Sequence, residues 1–177
     1  NTVSNLSSTR ALRDVTEKHG GTYTASAVGE VNVVNAMKAT QAVIGGEGNG
    51  GIIYPESHYG RDALVGVALF LSLLAERKIA VSALRASYPS YYMGKKKIDL
   101  NPSIDVDAIL VAIEAKYAHE NISTIDGVKI DFATEWVHLR KSNTEPIIRI
   151  YTEASTQEAA DTLGDKIISE IKEIAGI

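Results

Sequence analysis

Cysteine is missing from this chain of 177 residues, and long apolar runs are missing as well. Without cysteine there are no disulfide bonds, no thiolate nucleophile and no cysteine-ligated zinc. The longest apolar stretch, residues 63–75, is interrupted by Gly66 and Ser72. It falls short of the roughly 20 residues that span a bilayer. The chain opens on Asn1 without a signal-peptide pattern. We therefore expect a cytoplasmic location, no membrane partner, and a fragment of a longer protein.

An excess of basic residues is also missing. The 18 Lys and Arg residues are outnumbered by 22 Asp and Glu residues, which gives a net charge of -4. Nucleic-acid binders usually present a basic surface to phosphates, so we expect no nucleic-acid partner. The basic run at residues 95–97 follows Tyr88, Tyr91 and Tyr92, as in a platform that stacks single-stranded bases. In an acidic chain we interpret this segment as a solvated linker between domains.

Histidine is too sparse to suggest a metal site. The chain has four histidines, His19, His58, His119 and His138. In sequence they lie far from each other, and we interpret none of them as lying at metal-ligand spacing from a carboxylate. We therefore expect no metal ligand in this chain.

What is present is an alternation of strand and helix patterns in the first half of the chain. Residues 3–6, 22–24, 42–44 and 52–54 have strand patterns. Helical patterns begin at Ser7 or Ser8 and end near His19, with Gly20 as a left-handed stop, and then cover residues 30–38 and 60–78. This alternation predicts an α/β unit. The helix at residues 60–78 is apolar on nearly all sides, so we expect it to be largely buried. In the helix at residues 30–38, the expected buried face is Val31, Val34 and Met37.

The composition changes at residues 87–97, and we place two domains at residues 1–96 and 97–177. The second is expected to begin with a helix that Ser103 or Asp105 caps and to end with a helix opened by the capping box Ser155-x-x-Glu158. Strand patterns lie between them at residues 122–125, 128–131, 136–140 and 147–152. The pattern predicts a small α+β domain in which an antiparallel sheet lies between two helices in sequence.

Two further expectations concern this second domain. Asp126-Gly127 separates the first two strand patterns and is typical of a two-residue hairpin turn. The two helices carry apolar residues at helical spacing, and the expected buried positions are Val106, Ile109, Leu110 and Ile113, then Ala160, Leu163, Ile167, Ile171 and Ile174.

Residues 45–51 form the first candidate binding loop, with five glycines around Glu47 and Asn49. Glycine permits positive φ angles and close approach of a ligand. A carboxylate accepts hydroxyl protons, and an amide both donates and accepts, so this pair suits the hydroxyls of a sugar. The loop lacks the Gly-x-Gly-x-x-Gly order of a dinucleotide site and leads into a strand rather than a helix. On glycine content alone, a hairpin connection without a ligand is the favoured alternative.

The second candidate loop lies between two strand patterns at residues 140–146. Ser142, Asn143 and Thr144 offer side-chain and backbone donors that suit an anion. Arg140 adds a guanidinium that clamps phosphate with two parallel hydrogen bonds. The alternative is a turn in which Ser and Asn bond their own backbone. The Arg beside three hydrogen-bonding side chains favours anion binding.

Both loops resemble those of the α-D-phosphohexomutases. Gly46-Glu47-Gly48-Asn49-Gly50 is similar to the sugar-binding loop of that family, written Gly-Glu-x-Ser-Gly-His. The segment from Arg140 to Pro146 is similar to the family's phosphate-binding loop, Arg-x-Ser-(Asn/Gly)-Thr-Glu-Pro. The resemblance covers nearly the whole chain. It implies most of the third domain followed by the fourth, a small domain of TATA-box-binding-protein-like fold.

The resemblance also implies a reaction. Family members interconvert hexose 1-phosphates and 6-phosphates through a bisphosphate, using a phosphoserine in the first domain and Mg²⁺ held by an Asp-rich loop in the second. Neither Ser-His-Asn-Pro nor Asp-Gly-Asp occurs in this sequence. The resemblance therefore implies that Mg²⁺ binds outside this chain and that the missing amino-terminal domains are its partners. Glu47 and Asn49 would hold sugar hydroxyls. The non-reacting phosphate would bind Arg140, Ser142, Asn143 and Thr144, and the fragment alone would be inactive.

Departures from the family pattern bear on the substrate. Asn49 replaces the serine of the sugar loop, and Gly51 replaces its histidine. Upstream, Val28-Gly29-Glu30 stands where many mutases of mannose and glucose phosphates have Thr-Gly-His, which favours phosphoglucosamine mutases. Glu30 itself is interpreted as a solvated carboxylate at the start of a helix. Two alternatives to an enzyme remain: a non-catalytic module that binds a phosphosugar or another anion, and a scaffold whose loops are only turns.

Overall fold

A computed structural model of the chain describes residues 1–101, 104–142 and 147–177. The chain divides into two compact units, Asn1–Ser90 and Tyr91–Ile177, and each is described by itself. Within the described ranges, no helix is long and apolar enough to cross a membrane.

The first unit is a mixed α/β layer around a five-stranded sheet. Its sheet order is β2-β1-β3-β4-β5, with β1 parallel to both β2 and β3 and with β4 and β5 added antiparallel. The elements in chain order are β1 (Thr2–Asn5), α1 (Ala11–Lys18), β2 (Tyr23–Ser26), α2 (Glu30–Thr40), β3 (Ile44–Glu47), β4 (Gly51–Tyr54), β5 (His58–Arg61), α3 (Ala63–Arg77) and α4 (Val81–Ala86). The predicted α/β class is confirmed.

Helix α2 packs on one face of this sheet and forms the core of the unit. Val33 and Met37 are fully buried there, against Val3 and Ile53 of the strands. The predicted face of this helix is partly wrong, since Val31 is 71% exposed and Val33 takes its place. The sheet fixes the rotation of the helix, and apolar spacing over so short a segment does not.

The start of α1 differs from the prediction. Neither Ser7 nor Ser8 caps it: the residue before the first turn is Arg10, which makes no side-chain cap bond. The Ser8 hydroxyl instead donates to Asn5 Oδ1 at 2.9 Å. Gly20, with φ of 73°, provides the predicted left-handed stop.

Helix α3 is shorter and more exposed than predicted. Residues 58–61 belong to β5, and Asp62 then caps the helix by accepting from the backbone N–H groups of Leu64 and Val65. None of its residues is buried, and Leu64 is 81% exposed. The expectation of burial is therefore wrong for this chain, in which the sheet covers only one side of the helix.

The second unit is an antiparallel sheet with two helices, as predicted. The sheet order is β6-β10-β9-β8-β7. Its elements are β6 (Tyr92–Asp99), α5 (Val106–Lys116), β7 (Asn121–Ser123), β8 (Val128–Asp131), β9 (Trp136–Lys141), β10 (Ile147–Ala154) and α6 (Gln157–Ala175). Strand β6 pairs with β10 along its full length. The segment interpreted as a linker is therefore partly a strand, and the predicted boundary after residue 96 falls inside it.

The helices of this unit bury most of the predicted positions. All four expected residues of α5 are buried, and so are those of α6 except Ile174, which is 40% exposed near the end of the helix. Asp105 caps α5, and the other candidate, Ser103, lies outside the described residues. Thr156 caps α6, one residue later than Ser155, because its hydroxyl accepts from the N–H of Ala159.

The connection between β7 and β8 is a hairpin, but its turn is longer than predicted. Four residues, 124–127, join the strands in place of the two-residue turn at Asp126-Gly127. Gly127 has φ of 73°, and a Cβ there would overlap the carbonyl oxygen of Leu139 in β9. Position 127 thus requires glycine for two reasons, the positive φ angle and the close approach of the backbone to β9.

We expect Gly127→Ala to lower the free energy of unfolding of the second unit by more than about 2 kcal/mol. The left-handed angle alone costs about 1–2 kcal/mol for a residue with a Cβ, and the overlap with Leu139 adds to it. The measurement is urea unfolding followed by the fluorescence of Trp136, the one tryptophan of the chain, which is fully buried in this unit.

Gly176→Ala is the matched control. Gly176 has a similar φ of 69° in the same unit, and nothing lies within 4 Å of a Cβ placed there. Equal losses in the two variants would show that the approach to Leu139 does not matter.

Candidate functional site

The glycine loop of the first unit is the turn of a tight hairpin. Strands β3 and β4 are antiparallel, and Glu47 pairs with Gly51 at the last rung before the turn. A Cβ on Gly46 would overlap the carbonyl oxygen of Gly51, so the two strands lie unusually close. The predicted passage from loop to strand is confirmed, and the hairpin alternative describes the backbone correctly.

Glu47 lies at the carboxyl edge of the parallel strands. It is the last residue of β3, and Asn5 is the last residue of the parallel neighbour β1. Gly29 follows the third parallel strand, β2, and immediately precedes α2. Ligands of open α/β sheets bind at this edge, beyond the carboxyl ends of the strands.

Three donors hold the Glu47 carboxylate. Oε1 accepts from Asn5 Nδ2 at 3.0 Å and from the backbone N–H of Gly29 at 3.2 Å. Oε2 lies 3.5 Å from Arg61 Nη1, which donates to it. The side chain is only 7% exposed. Among the residues that the structure describes, Oε2 has only this one long contact, so it keeps acceptor capacity for a hydroxyl group.

Asn5 was not expected as a site residue. Its Oδ1 accepts from the backbone N–H of Ser7 at 3.1 Å and from the hydroxyl of Ser8 at 2.9 Å. These two bonds fix which end of the amide faces Glu47. No signal in the sequence singled out Asn5, because it lies inside the strand pattern at residues 3–6.

Glu30 opens α2, as interpreted from the sequence, and its side chain is 34% exposed, but the carboxylate is paired with Arg61. Its Oε2 is 2.9 Å from Arg61 Nε, and its Oε1 accepts from the Arg61 backbone N–H at 3.1 Å. The hydrogen bond from that backbone N–H, together with the guanidinium, holds the pKa of the Glu30 carboxyl below its usual range, although partial burial opposes this. His58, interpreted as isolated from carboxylates, pairs with Asp62 at 3.0 Å beside this cluster.

Asn49 is exposed at the tip of the turn. Its Oδ1 accepts from the backbone N–H of Gly51 at 3.3 Å, a contact that shapes the turn itself. Glu47 and Asn49 therefore differ in kind. The first is anchored by the fold, while the second is available to solvent.

The second candidate loop joins β9 to β10. The N–H of Ser142 donates to the carbonyl of Ile147 at 3.0 Å, which closes the base of the loop, and Ser142 is buried. Asn143 and Thr144, the other two predicted phosphate ligands, lie outside the described residues. Arg140 and Lys141 are the last two residues of β9.

Arg140 is anchored by an internal carboxylate. Its Nε donates to Asp126 Oδ1 at 3.0 Å, and the side chain is 28% exposed. A guanidinium has five N–H donors, so this pair leaves donors for an anion. Arg149 of β10 is directly opposite Arg140 in the sheet. Two like charges in one cross-strand pair are unfavourable unless an anion or another group offsets them.

His138 lies inside the second unit and contacts the turn between β7 and β8, which contains Asp126. It is 1% exposed, and its Nε2 lies 2.6 Å from the carbonyl oxygen of Asp126. Desolvation lowers the pKa of His138, with the charges of Lys129 and Arg140 acting in the same direction, while the bond to Asp126 opposes the shift. The neutral imidazole is thus the form that the folded unit favours. Within the described residues, no group of three or more metal-ligating side chains occurs.

Both units match family models of known proteins. Residues 1–92 match the model described as phosphoglucomutase/phosphomannomutase, alpha/beta/alpha domain III. Residues 95–170 match the model for the C-terminal domain of the same proteins. The chain belongs to the phosphoglucomutase/phosphomannomutase family.

Relatives within this family span more than the present chain. It is 36% identical to a phosphoglucosamine/phosphogalactosamine mutase of Sulfurisphaera tokodaii, with 97% of this chain and 37% of the relative aligned. It is 34% identical to a phosphoglucomutase/phosphomannomutase of Thermococcus kodakarensis, with 95% of this chain and 38% of the relative aligned. The chain thus spans less than two-fifths of the length of these curated relatives.

Solved structures of phosphoglucomutase/phosphomannomutase proteins share the fold. A family protein from Burkholderia thailandensis aligns with a TM-score of 0.77 at 24% identity, over 97% of this chain and 37% of that one. The open form of a Paramecium phosphoglucomutase aligns with a TM-score of 0.75 at 17% identity, over the whole of this chain and 38% of that one. At these identities the likeness concerns the fold alone.

The buried His138 makes the stability of the second unit depend on pH. Because its folded pKa lies below the unfolded value near 6.5, the unfolded chain binds more protons in this range. Stability from the neutral imidazole is therefore present above about pH 6.5 and is lost as the pH falls. We expect a larger loss of unfolding free energy between pH 7.5 and 5.5 in the wild type than in His138→Gln, measured by urea unfolding with Trp136 fluorescence.

Glutamine keeps an N–H donor for the carbonyl of Asp126 but does not titrate. His119→Gln serves as the control, because His119 is exposed. A wild-type profile that runs parallel to that of His138→Gln would contradict the assignment.

Proposed function

We propose that this chain is the substrate-gripping part of a phosphohexomutase that interconverts hexose 1-phosphate and 6-phosphate through a bisphosphate. Glu47 and Asn49 bind sugar hydroxyls. The non-reacting phosphate binds Arg140 and Ser142 with Asn143 and Thr144. The observation that carries the proposal is the Glu47 carboxylate, held almost buried at the carboxyl edge of three parallel strands beside a turn without bulky side chains.

The geometry of Glu47 suits a sugar hydroxyl better than a metal or a phosphate. Oε1 already accepts from Asn5 and Gly29, while Oε2 retains capacity to accept from a ligand O–H group. Glu47 and Glu30 with Arg61 carry a net negative charge, which repels phosphate, so the anionic end of the substrate requires a separate cationic loop. Arg140, with Arg149 opposite it in the sheet, supplies that charge in the second unit.

An amino sugar phosphate is the substrate class that we favour. Val28-Gly29-Glu30 is the sequence signal for it. The relatives include the phosphoglucosamine/phosphogalactosamine mutase of Sulfurisphaera tokodaii and a protein of Methanopyrus kandleri, 32% identical, that is named as a probable phosphoglucosamine mutase. In the first unit Glu30 and Glu47 together exceed the charge of Arg61 by one negative charge. That excess is compatible with the ammonium group of a hexosamine.

The chemical step needs groups that this chain does not provide in its sequence. By family resemblance, a serine phosphate donates the phosphoryl group to one oxygen of the substrate and recovers a phosphoryl group from the other. Mg²⁺, when bound by the missing amino-terminal domains, would offset the charge on the transferring group. Both belong to the polypeptide outside this chain, and phosphoryl transfer depends on such positioning and charge stabilisation. The cytoplasmic location remains a prediction from the sequence.

The purified 177-residue chain should therefore show no mutase turnover. The assay follows conversion of glucosamine 6-phosphate to the 1-phosphate in the presence of Mg²⁺ and a catalytic amount of the bisphosphate. A full-length family enzyme serves as the positive control. Turnover that scales with the amount of the chain would show that it holds a complete catalytic site.

Arg140→Ala should weaken binding of inorganic phosphate by roughly ten- to a hundredfold, since hydrogen bonds to charged groups contribute about 1.5–3 kcal/mol. Asp126→Asn should strengthen binding by a few fold, because it removes the carboxylate charge that competes for Arg140 while keeping an oxygen for Arg140 Nε. The measurement is an NMR titration that follows the amide signals of residues 140–142.

Lys172→Ala is the matched control, because Lys172 is an exposed cation near the end of α6 in the same unit. If Arg140→Ala binds phosphate within twofold of the wild type, this loop is a turn and the non-catalytic scaffold interpretation stands.

A further inference from the structure

Arg61 links two carboxylates that come from different elements of the first unit. Its Nε is 2.9 Å from Glu30 Oε2 at the start of α2, and its Nη1 is 3.5 Å from Glu47 Oε2 at the end of β3. Its backbone N–H also donates to Glu30, at 3.1 Å. The side chain is 47% exposed, so the guanidinium bonds two protein carboxylates and still faces solvent.

Gly51 provides the space in which Arg61 lies. A Cβ at residue 51 would come within 2.5 Å of Arg61 Cδ and 3.0 Å of Cγ. Gly51 is not among the glycines with positive φ, so its backbone angle does not require glycine. It stands directly opposite Glu47 in the hairpin. The contact with Arg61 is therefore the physical reason for glycine at this position.

We propose that Arg61 is the positioning residue of the sugar site, that it orients Oε2 of Glu47 toward the substrate, and that Gly51 is glycine in order to admit it. This inference rests on the proposed function. Without Arg61, Oε2 of Glu47 would lose the one hydrogen-bond donor that it has among the described residues, and the Glu30 carboxylate would lose the guanidinium as well. With it, the carboxylate is oriented before the sugar binds, and less freedom is lost on binding.

Arg61 also has donors of its own for the ligand. Its guanidinium carries five N–H groups. The side-chain contacts with Glu30 and Glu47 involve only Nε and Nη1. The remaining donors suit a ring hydroxyl oxygen. Lysine would not reproduce this arrangement, because an ammonium is a point charge and cannot bridge two carboxylates in one plane.

Glu30 reports where Arg61 lies, independently of any ligand. Its lowered pKa comes first from the Arg61 backbone N–H, then from the Arg61 side chain, with a smaller contribution from the charge of His58. Displacing the guanidinium should therefore raise the pKa of Glu30 while the backbone contribution remains. This gives the experiment a structural readout alongside a binding readout.

The experiment compares Arg61→Ala, Arg61→Lys and Gly51→Ala in the full chain. In Gly51→Ala, the new methyl group displaces Arg61 without changing any charge. Carbon-detected NMR measures the pKa of Glu30, and titrations measure the affinities for glucosamine 6-phosphate and for inorganic phosphate. Arg77→Ala, an exposed arginine at the end of α3, is the matched control.

We expect Arg61→Ala and Gly51→Ala to raise the pKa of Glu30 and to weaken glucosamine 6-phosphate binding at least fivefold, with phosphate binding unchanged. Arg61→Lys should restore only part of that affinity. Wild-type sugar phosphate affinity in both Arg61→Ala and Gly51→Ala would overturn the inference and leave the proposed function intact. An unchanged pKa of Glu30 in Gly51→Ala would overturn the role given to Gly51. A wild-type chain that binds phosphate but gains nothing from the attached sugar would overturn the proposed sugar site instead.

Discussion

The first unit depends on one constraint, the Glu47 carboxylate held almost out of water at the carboxyl edge of the sheet. A charge in that position costs several kcal/mol unless donors surround it. Here the donors come from the end of β1, the residue before α2 and the end of β5, through Asn5, Gly29 and Arg61. Satisfying one carboxylate therefore ties three separate segments to the hairpin, and the glycine turn is fixed relative to the sheet.

The sequence predicted the architecture well, because the architecture follows from local periodicity. The α/β class, the antiparallel sheet of the second unit, the buried face of α5 and the cap at Asp105 all follow from spacing within a few residues. The errors arise where tertiary contacts decide. Val33 replaces Val31 in the core because the sheet sets the rotation of α2. Strand β6 was partly interpreted as a linker because Tyr92 and its three lysines resemble a solvated segment, whereas the strand forms by pairing with β10, which lies far away in sequence.

The candidate site shows the same division more sharply. Glu47 was recognisable because glycines surround it, but its partners were not, since Asn5 lies 42 residues before it. Arg61 is 31 residues from Glu30, and no short motif joins them. Helix α3 shows a different failure of the sequence pattern. Its apolar residues on all sides predict burial, but the pattern does not identify the element that would cover the helix. Periodicity identifies elements, and only packing shows which side chains meet.

Both units solve the problem of presenting a charge in the same way, with an internal group of opposite sign. Arg61 holds Glu47 in the first unit, and Asp126 holds Arg140 in the second. In the sugar and phosphate sites that we propose, such a pair orients the binding group in advance and lowers the entropy lost when a ligand arrives. It also competes with the ligand, so the proposed affinity of each loop is limited by its own internal pair. For the mutase that we propose, which must release each product, moderate affinity with fixed geometry is more useful than tight binding, because only interactions strengthened in the transition state raise the rate.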